Sequence, residues 1–158
     1  MPRIVEQWKE VRPDLDASPL LVVGRIQVAN HLVEGALRPT FEAAGLARGD
    51  FNVLAALRRA GEPHTLTPSE LRDALMVTQG AVTKQVDRLI DKGLVTREVS
   101  ADDARGRTVS LTPAGVTLVD ELMATHLDNQ RRLLSVLSAG EVDDLGRLLA
   151  ALTEGNDG

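Results

Sequence analysis

The sequence contains no cysteine and no tyrosine, and its aromatic residues are Trp8, Phe41 and Phe51. The absence of cysteine excludes disulfides, zinc fingers, iron–sulfur clusters and thiol-based peroxide sensing. With 2% aromatic residues, the chain also lacks the platforms on which single-strand nucleic-acid binders stack bases. Its core must therefore be built from Leu, Val, Ile and Ala, a composition that favours helices.

Long apolar runs and catalytic motifs are missing as well. No run approaches the ~18 apolar residues of a membrane helix, and the N-terminus lacks a signal-peptide pattern, so we expect a cytoplasmic protein that does not enter the membrane. Neither a Gly-rich phosphate loop nor an HExxH or G-x-S-x-G motif occurs, so an enzyme is not expected. His31, His64 and His126 are too scattered to form a metal site, and we expect no cofactor.

The 158 residues fit one domain, or a small domain with a helical appendage.

The charge balance is acidic but uneven. The net charge of −5 argues against nucleic acid as a partner. However, residues 78–110 carry 6 basic and 5 acidic groups, whereas residues 111–158 carry 3 and 8. The slightly positive middle of the chain removes an objection to DNA binding.

Hydroxyl and proline residues mark the helix starts. A Ser or Thr directly before a proline predicts a helix start at Pro19, Pro68 and Pro113. Capping boxes are predicted at Thr67 with Glu70 and at Ser138 with Glu141, and Thr78 and Gly93 bound a further helix.

These signals predict seven helices around one hairpin. The helices are expected at about 2–11, 19–37 (ended near Pro39), 48–60, 68–74, 79–92, 113–137 and 142–152, and the strands at 94–99 and 107–111. The fold class is therefore mainly α with a small β-hairpin wing, which is a winged helix-turn-helix.

The helix at 79–92 has two chemically different faces. A helical wheel directs four apolar residues to the core, namely Val82, Val86, Leu89 and Ile90. The opposite arc carries Gly80, Thr83, Lys84, Asp87, Arg88 and Asp91. In a helix-turn-helix the second helix enters the major groove, where a Thr, Lys or Arg side chain contacts base edges or phosphates. The alternative is an ordinary solvated helix face.

The loop of the hairpin is long and charged. Its tip places Asp102 and Asp103 beside Arg105 and Arg107. In one interpretation Asp103 pairs with one arginine to shape the tip, and the other guanidinium enters a minor groove. In the other, the loop only forms internal ion pairs of little energetic value.

Three motifs at matching spacing then resemble one family. They are D-R-L-x-x-x-G-L-V-x-R over residues 87–97, the Asp/Arg wing, and L-T-x-x-G over residues 111–115, which leads into a long helix. Together with the flanking long helices, they resemble the MarR family of transcriptional regulators over nearly the whole chain. The family wing often carries Asp-Arg-Arg. Here Ala104 replaces the first arginine, so only Arg105 and Arg107 are carried over.

The resemblance implies an obligate homodimer that reads a palindromic operator in double-stranded DNA, usually as a repressor released by a small molecule. It also implies N- and C-terminal dimerisation helices. We therefore expect an N-terminal extension and first dimerisation helix over 1–47, a DNA-binding domain over 48–112, and C-terminal dimerisation helices over 113–158. The DNA-binding residues that we expect are Ser69, Gln79, Gly80, Thr83, Lys84, Gln85, Arg88, Asp103, Arg105 and Arg107. A winged-helix protein-interaction module without DNA binding is the alternative.

The terminal helices are rich in leucine and support dimerisation independently. Their apolar residues, from Leu118 to Leu152, exceed what two helices can hide on one small domain. An intramolecular helical cap is the alternative.

The effector is expected to be a phenolic acid, a purine such as urate, or an aromatic acyl-CoA. Candidate ligand residues are Trp8, His31 and Asp50. Trp8 is either an aromatic wall or a packing anchor, His31 a donor or a packing residue, and Asp50 a ligand contact or an acid at a helix start. An N-terminal Trp with a helix-start Asp resembles the urate- and purine-responsive branch. That branch uses arginines to hold the anion, and Gln85 stands where we would look for one.

Overall fold

The computed structural model describes residues 2–99 and 107–155, with Pro2 and Val99 described by their backbone alone. The elements are α1 (Pro2–Val11), α2 (Pro19–Ala43), α3 (Arg48–Arg59), β1 (Thr65–Leu66), α4 (Pro68–Leu75), α5 (Gln79–Asp91), β2 (Val95–Val99), β3 (Arg107–Leu111), α6 (Pro113–Leu134) and α7 (Ala139–Glu154). The predicted mainly helical winged helix-turn-helix is confirmed. Packing divides the chain into a unit that ends at Leu37 and one that begins at Arg38.

The first unit contains α1 and most of α2. In the linker between them, both oxygens of Asp14 accept hydrogen bonds from the Arg12 guanidinium. Asp16 accepts hydrogen bonds from the backbone N–H and the hydroxyl of Ser18, directly before α2. The exposed surface of α2 is strongly apolar and includes Leu20, Val22, Val23, Val28 and Leu32.

The prediction that α2 ends near Pro39 is wrong, since Pro39 lies inside the helix. A proline removes one intrahelical hydrogen bond and crowds the preceding turn. The residues beyond it compensate for this cost. Phe41 is buried and stacks on Phe51 with 4.7 Å between ring centroids, and Thr40 accepts a 2.7 Å hydrogen bond from Asn129 on α6. Tertiary packing therefore carries the helix past its proline.

The helix ends instead at Ala43, and Gly45 closes it two residues later. The N–H of Leu46 donates to the carbonyl of Phe41 and that of Gly45 to Glu42, both at 2.9 Å. This Schellman pattern requires a left-handed residue, and Gly45 supplies it with a φ of 66°.

The predicted caps of the later helices are confirmed. Thr67, Thr78, Thr112 and Ser138 each accept a hydrogen bond from a backbone N–H of the first turn that follows. Thr67 and Ser138 complete capping boxes with Glu70 and Glu141. The backbone N–H of Thr67, which hydrogen-bonds Glu70, lowers the pKa of that carboxyl. Local sequence therefore determines where these helices begin.

The sheet has one strand more than predicted. Its order is β1-β3-β2, and all pairings are antiparallel. The hairpin of β2 and β3 is confirmed, whereas β1 was missed because two residues carry no readable alternation. The Thr65 and Ser110 hydroxyls, 2.7 Å apart, join this edge strand to β3.

The core of the second unit lies beneath α5. Its fully buried side chains come from α3, α4, α5 and the sheet, and include Leu54, Leu57, Leu71, Val82, Val86, Leu89 and Val109. The prediction that Ile90 joins this core is wrong, because Ile90 is 36% exposed. Val82, Val86 and Leu89 centre the buried arc, and Ile90 lies a further 100° around the helix from Leu89.

The sheet meets α6 at a close backbone contact. A Cβ atom on Gly115 would lie 2.1 Å from the carbonyl oxygen of Leu94. The L-T-x-x-G motif therefore ends in glycine for a steric reason.

Part of the apolar surface that suggested dimerisation is internal. Val119 and Leu122 are buried within their own unit. The exposed apolar residues of α6, α7 and the turn between them include Leu127, Leu134, Val136, Leu145, Leu148 and Leu149. Within residues 2–99 and 107–155, no helix is long and apolar enough to cross a membrane.

Candidate nucleic-acid interface

The N-terminal half of α5 is open to solvent. Thr78 caps the helix, and Gln79, Gly80, Thr83 and Lys84 are exposed, as predicted. The first turn of a helix presents unpaired N–H groups and a positive partial charge, both of which attract phosphate. This half of α5 therefore combines a backbone suited to anions with two side chains suited to base edges.

Thr83 and Lys84 differ in what they offer. The Thr83 hydroxyl donates to the Gln79 carbonyl at 3.1 Å and keeps its lone pairs for an outside donor. The Lys84 ammonium forms no ion pair within the parts of the chain that the structure describes. Lys84 is thus the cation of α5 that is available to an outside anion.

Arg88 is engaged inside the protein. Its Nη2 lies 2.5 Å and its Nε 3.1 Å from Oδ1 of Asp50 on α3. Hydrogen bonding to Asp50 raises the pKa of Arg88, so the guanidinium stays charged. Its Nε and Nη2 are directed to a buried carboxylate on the neighbouring helix, while the side chain as a whole is half-exposed. The expected contact of Arg88 with DNA stays a prediction.

Asp50, one of the predicted ligand residues, is also engaged inside the protein. Its side chain is 2% exposed, and it accepts a 3.0 Å hydrogen bond from the Ala47 N–H in addition to the contact with Arg88. The interpretation of Asp50 as an acid at a helix start is confirmed. Its expected role as a ligand contact stays a prediction, and its oxygens already accept hydrogen bonds from Ala47 and Arg88.

Gln85 also faces inward. Its amide nitrogen would lie 2.3 Å from a Cβ atom at Gly49, at the start of α3. Its Oε1 is buried and accepts no hydrogen bond from the described residues. Its position on the helix directs Gln85 towards α3, and its expected contact with DNA stays a prediction.

A second ion pair holds α5 to the sheet. Nη2 of Arg97 on β2 lies 2.9 Å from Oδ1 of Asp87. Together with the pair of Arg88 and Asp50, it explains why the motif over residues 87–97 contains Asp, Arg and Arg. These residues attach α5 to α3 and to β2.

The structure describes the wing only at its base, where β2 and β3 pair. Asp103 and Arg105 lie outside the described residues. Arg107 begins β3, is exposed, and pairs with Val99 across the hairpin. Ser69 is exposed in the first turn of α4.

The remaining ligand candidates lie in the first unit. Trp8 is 45% exposed and lines an open concavity of about 350 Å³ with Ile4, Gln7, Glu10 and Val11, all of α1. His31 is exposed on α2.

His126 packs within the second unit. Its ring lies 5.5 Å from that of Phe41 and 5.2 Å from that of Phe51 between centroids. Burial, with a smaller contribution from the charge of Arg48, lowers the pKa of this imidazole.

Sequence reasoning missed two features beside this surface. Nothing in the sequence marked Arg97 as the partner of Asp87, because the two residues belong to different elements. Met76, between α4 and α5, is 92% exposed. The signal for Met76 was available, since a large apolar residue occupies a position just after a helix, where glycine is usual.

Residues 44–106 of this chain match the model of the MarR family. The match begins near the start of the second unit and ends at the wing. The transcriptional regulator PecS of Dickeya dadantii is 36% identical over 146 residues, spanning 92% of this chain and 88% of that protein.

Two solved structures contain DNA. A mutant of MarR from Escherichia coli in complex with operator DNA is 29% identical, with a TM-score of 0.74, and covers 92% of this chain and 96% of its own. Sco3205, a MarR family transcriptional regulator from Streptomyces coelicolor in complex with DNA, is 25% identical, with a TM-score of 0.81, and covers 91% of both chains.

Proposed function

The chain belongs to the MarR family of transcriptional regulators, and from this premise we propose that it binds a palindromic operator as a homodimer and represses transcription until a small molecule releases it. Its relatives are regulators, and we propose no catalytic activity. The proposal implies a cytoplasmic location, with access to the chromosome.

One observation carries the DNA-binding surface. The first half of α5 is exposed and polar, while the second half of the same helix is tied to α3 and β2 by ion pairs. A helix that recognises DNA must hold its side chains in a fixed geometry while leaving their polar groups free of partners within the protein. In the proposed complex Thr83 contacts a base edge, Lys84 a guanine or phosphate, and the N–H groups near Gly80 a phosphate.

The dimer is supported by the exposed apolar side chains of each unit. Those of α2 lie in the first unit and those of α6 and α7 in the second. Contiguous apolar surface of this kind marks an interface in most soluble proteins. A second copy of the chain would bury it and bring two α5 helices to successive major grooves, roughly 34 Å apart.

The number of phosphate contacts follows from the cations that remain available. Since Arg88 is engaged with Asp50, the contacts proposed per protomer are Lys84, Arg105 and Arg107. Doubling in the dimer allows up to about six contacts, so log affinity should fall with log salt with a slope near −5.

The test is a gel-shift titration over a range of salt concentrations. A duplex selected by the protein from a random-sequence library is compared with unselected DNA. We expect tight binding of the selected duplex with this steep slope, and much weaker binding of unselected DNA. If no duplex is enriched and low salt gives no binding, the chain is an interaction module instead.

Substitution of two lysines distinguishes a direct contact with phosphate from a general effect of net charge on DNA binding. Lys84→Ala should reduce the magnitude of the salt slope by about two in the dimer. Lys92→Ala removes the same charge at the other end of α5 and should leave the slope unchanged. Equal slopes for the two variants would contradict the proposed contact.

The effector that we propose is a small aromatic or anionic molecule: a phenolic acid, a purine such as urate, or an aromatic acyl-CoA. The carboxylate of Asp50 already accepts hydrogen bonds from Arg88 and Ala47. The proposed effector contact therefore depends chiefly on Trp8, which is half-exposed.

Urate and salicylate are the probes. If either compound releases the protein from DNA, Trp8→Ala should weaken the release without weakening DNA binding, and Trp8→Phe should retain it. Unchanged release in Trp8→Ala would make Trp8 a packing anchor.

A further inference from the structure

Met76 connects the two helices of the helix-turn-helix in a left-handed conformation. Its φ and ψ are 51° and 45°, and its N–H donates to the carbonyl oxygens of Arg72 and Asp73. The N–H of the next residue, Val77, reaches back to Arg72. Met76 therefore occupies the left-handed position of a Schellman closure, where side chains other than glycine or asparagine are strained.

Elsewhere the chain uses glycine for this task. Among the described residues, Gly45, Gly61 and Gly93 adopt positive φ just after α2, α3 and α5. Met76 is 92% exposed, so the folded chain gains almost no burial of its side chain in return for the strain. Folding alone therefore does not account for a large apolar residue at this turn.

The position of Met76 indicates what would cover it. It lies two residues before Thr78, the cap of α5, and the first turn of that helix is exposed at Gln79 and Gly80. In the proposed complex this end of α5 enters the major groove. A long side chain at the preceding turn then lies at the edge of the same groove.

We propose that Met76 makes an apolar contact with the 5-methyl group of a thymine at the edge of the site that α5 contacts, and so contributes to sequence preference. The inference rests on the proposed function. The thymine methyl is the apolar group that base edges display in the major groove. The unbranched, polarizable methionine side chain adapts well to such a contact.

The experiment replaces thymine by deoxyuridine in the selected duplex. Deoxyuridine keeps the base pair and removes the methyl group. Binding of the thymine and uracil duplexes is measured for the full chain and for Met76→Asn and Met76→Leu. Asparagine tolerates the left-handed backbone but is polar, whereas leucine keeps the apolar surface. Thermal unfolding checks that each variant is folded.

For the parent chain we expect about fourfold weaker binding per half-site at one thymine position, the ratio for burying one methyl group. Met76→Asn should bind the thymine duplex more weakly and lose this dependence on the methyl group, while Met76→Leu should keep it. If the penalty persists in Met76→Asn, the methyl contact belongs to another residue and the inference fails.

Two further outcomes would overturn the inference. Equal binding of both duplexes by the parent chain excludes a methyl contact. A loss in Met76→Asn that is equal on both duplexes assigns Met76 to the sugar–phosphate backbone. In each case the selected duplex still binds, so the proposed function stands. If no duplex can be selected, the proposed function and this inference fail together.

Discussion

The two halves of α5 have opposite roles within one short helix. In the second half, Arg88 binds Asp50 on α3, Asp87 binds Arg97 on β2, and Leu89 is fully buried. In the first half, Gln79, Gly80, Thr83 and Lys84 are exposed. The residues that carry the family motif therefore hold the helix in place, and the residues before the motif are those available to DNA. A charged residue on an outward arc of a wheel is not thereby a contact residue.

The largest effect is expected from breaking the anchor to α3. Arg88→Ala leaves the nearly buried carboxylate of Asp50 without its cation and should lower the free energy of unfolding by about 2–3 kcal/mol, less than for a fully buried pair because Arg88 is half-exposed. Urea denaturation measures the change.

Lys84→Ala on the first half of α5 is the matched control and should stay within about 0.5 kcal/mol of the parent. In the double variant of Asp50 and Arg88, the two losses should not add. If Arg88→Ala costs no more than Lys84→Ala, the distinction between the two halves is wrong.

The next effect is expected in the exposed half, and on DNA rather than on stability. Thr83→Val removes the hydroxyl and should change the discrimination between operator variants by about 1–3 kcal/mol, because base contacts carry sequence preference. Competition gel shifts with mutated duplexes measure it.

Thr117→Val is the control, since the Thr117 hydroxyl makes the same type of bond to a carbonyl four residues earlier, on α6. A loss in Thr83→Val that is as large on random DNA would exclude base readout by this residue.

A smaller effect is expected for the anchor to the sheet. Asp87 and Arg97 are both partly exposed, so a double-mutant cycle on stability should yield a coupling of about 0.5 kcal/mol. A coupling as large as that of Asp50 with Arg88 would mean that the sheet, rather than α3, is the main support of α5.

The smallest effect is expected in the pH dependence of the free energy of unfolding near neutrality. This dependence does not involve α5, which contains no histidine. Because burial lowers the pKa of His126, the unfolded chain binds a proton there more readily than the folded chain. Stability should be complete above about pH 6.5 and should fall as pH falls further. Urea denaturation as a function of pH measures this slope.

His126→Phe preserves an aromatic ring in the cluster and should flatten the acid limb of the curve. An unchanged limb in His126→Phe would show that the acid sensitivity arises at other groups.

Features that depend on neighbouring residues were readable from the sequence. The hydroxyl caps at Thr67, Thr78 and Ser138, the glycine at Gly93 and the alternation of the hairpin act within a few residues, so the corresponding elements were predicted nearly to their ends. The exposed face of α5 followed in the same way, from helical periodicity alone.

Features that depend on distant partners were not readable. Pro39 is a helix breaker by local rules, and only tertiary contacts override it, namely the burial of Phe41 against Phe51 and the hydrogen bond from Asn129 to Thr40. Arg88 and Gln85 are polar residues on a polar helix, and only the position of α3 assigns one to Asp50 and the other to Gly49.

The sequence by itself therefore determined the order of the helices and the hairpin, the family motif and the polar half of α5, because caps and periodicity are encoded over one or two turns. Only the tertiary structure decided which of those polar residues remain available to DNA, because an ion pair between positions 50 and 88 exists only once two helices pack together.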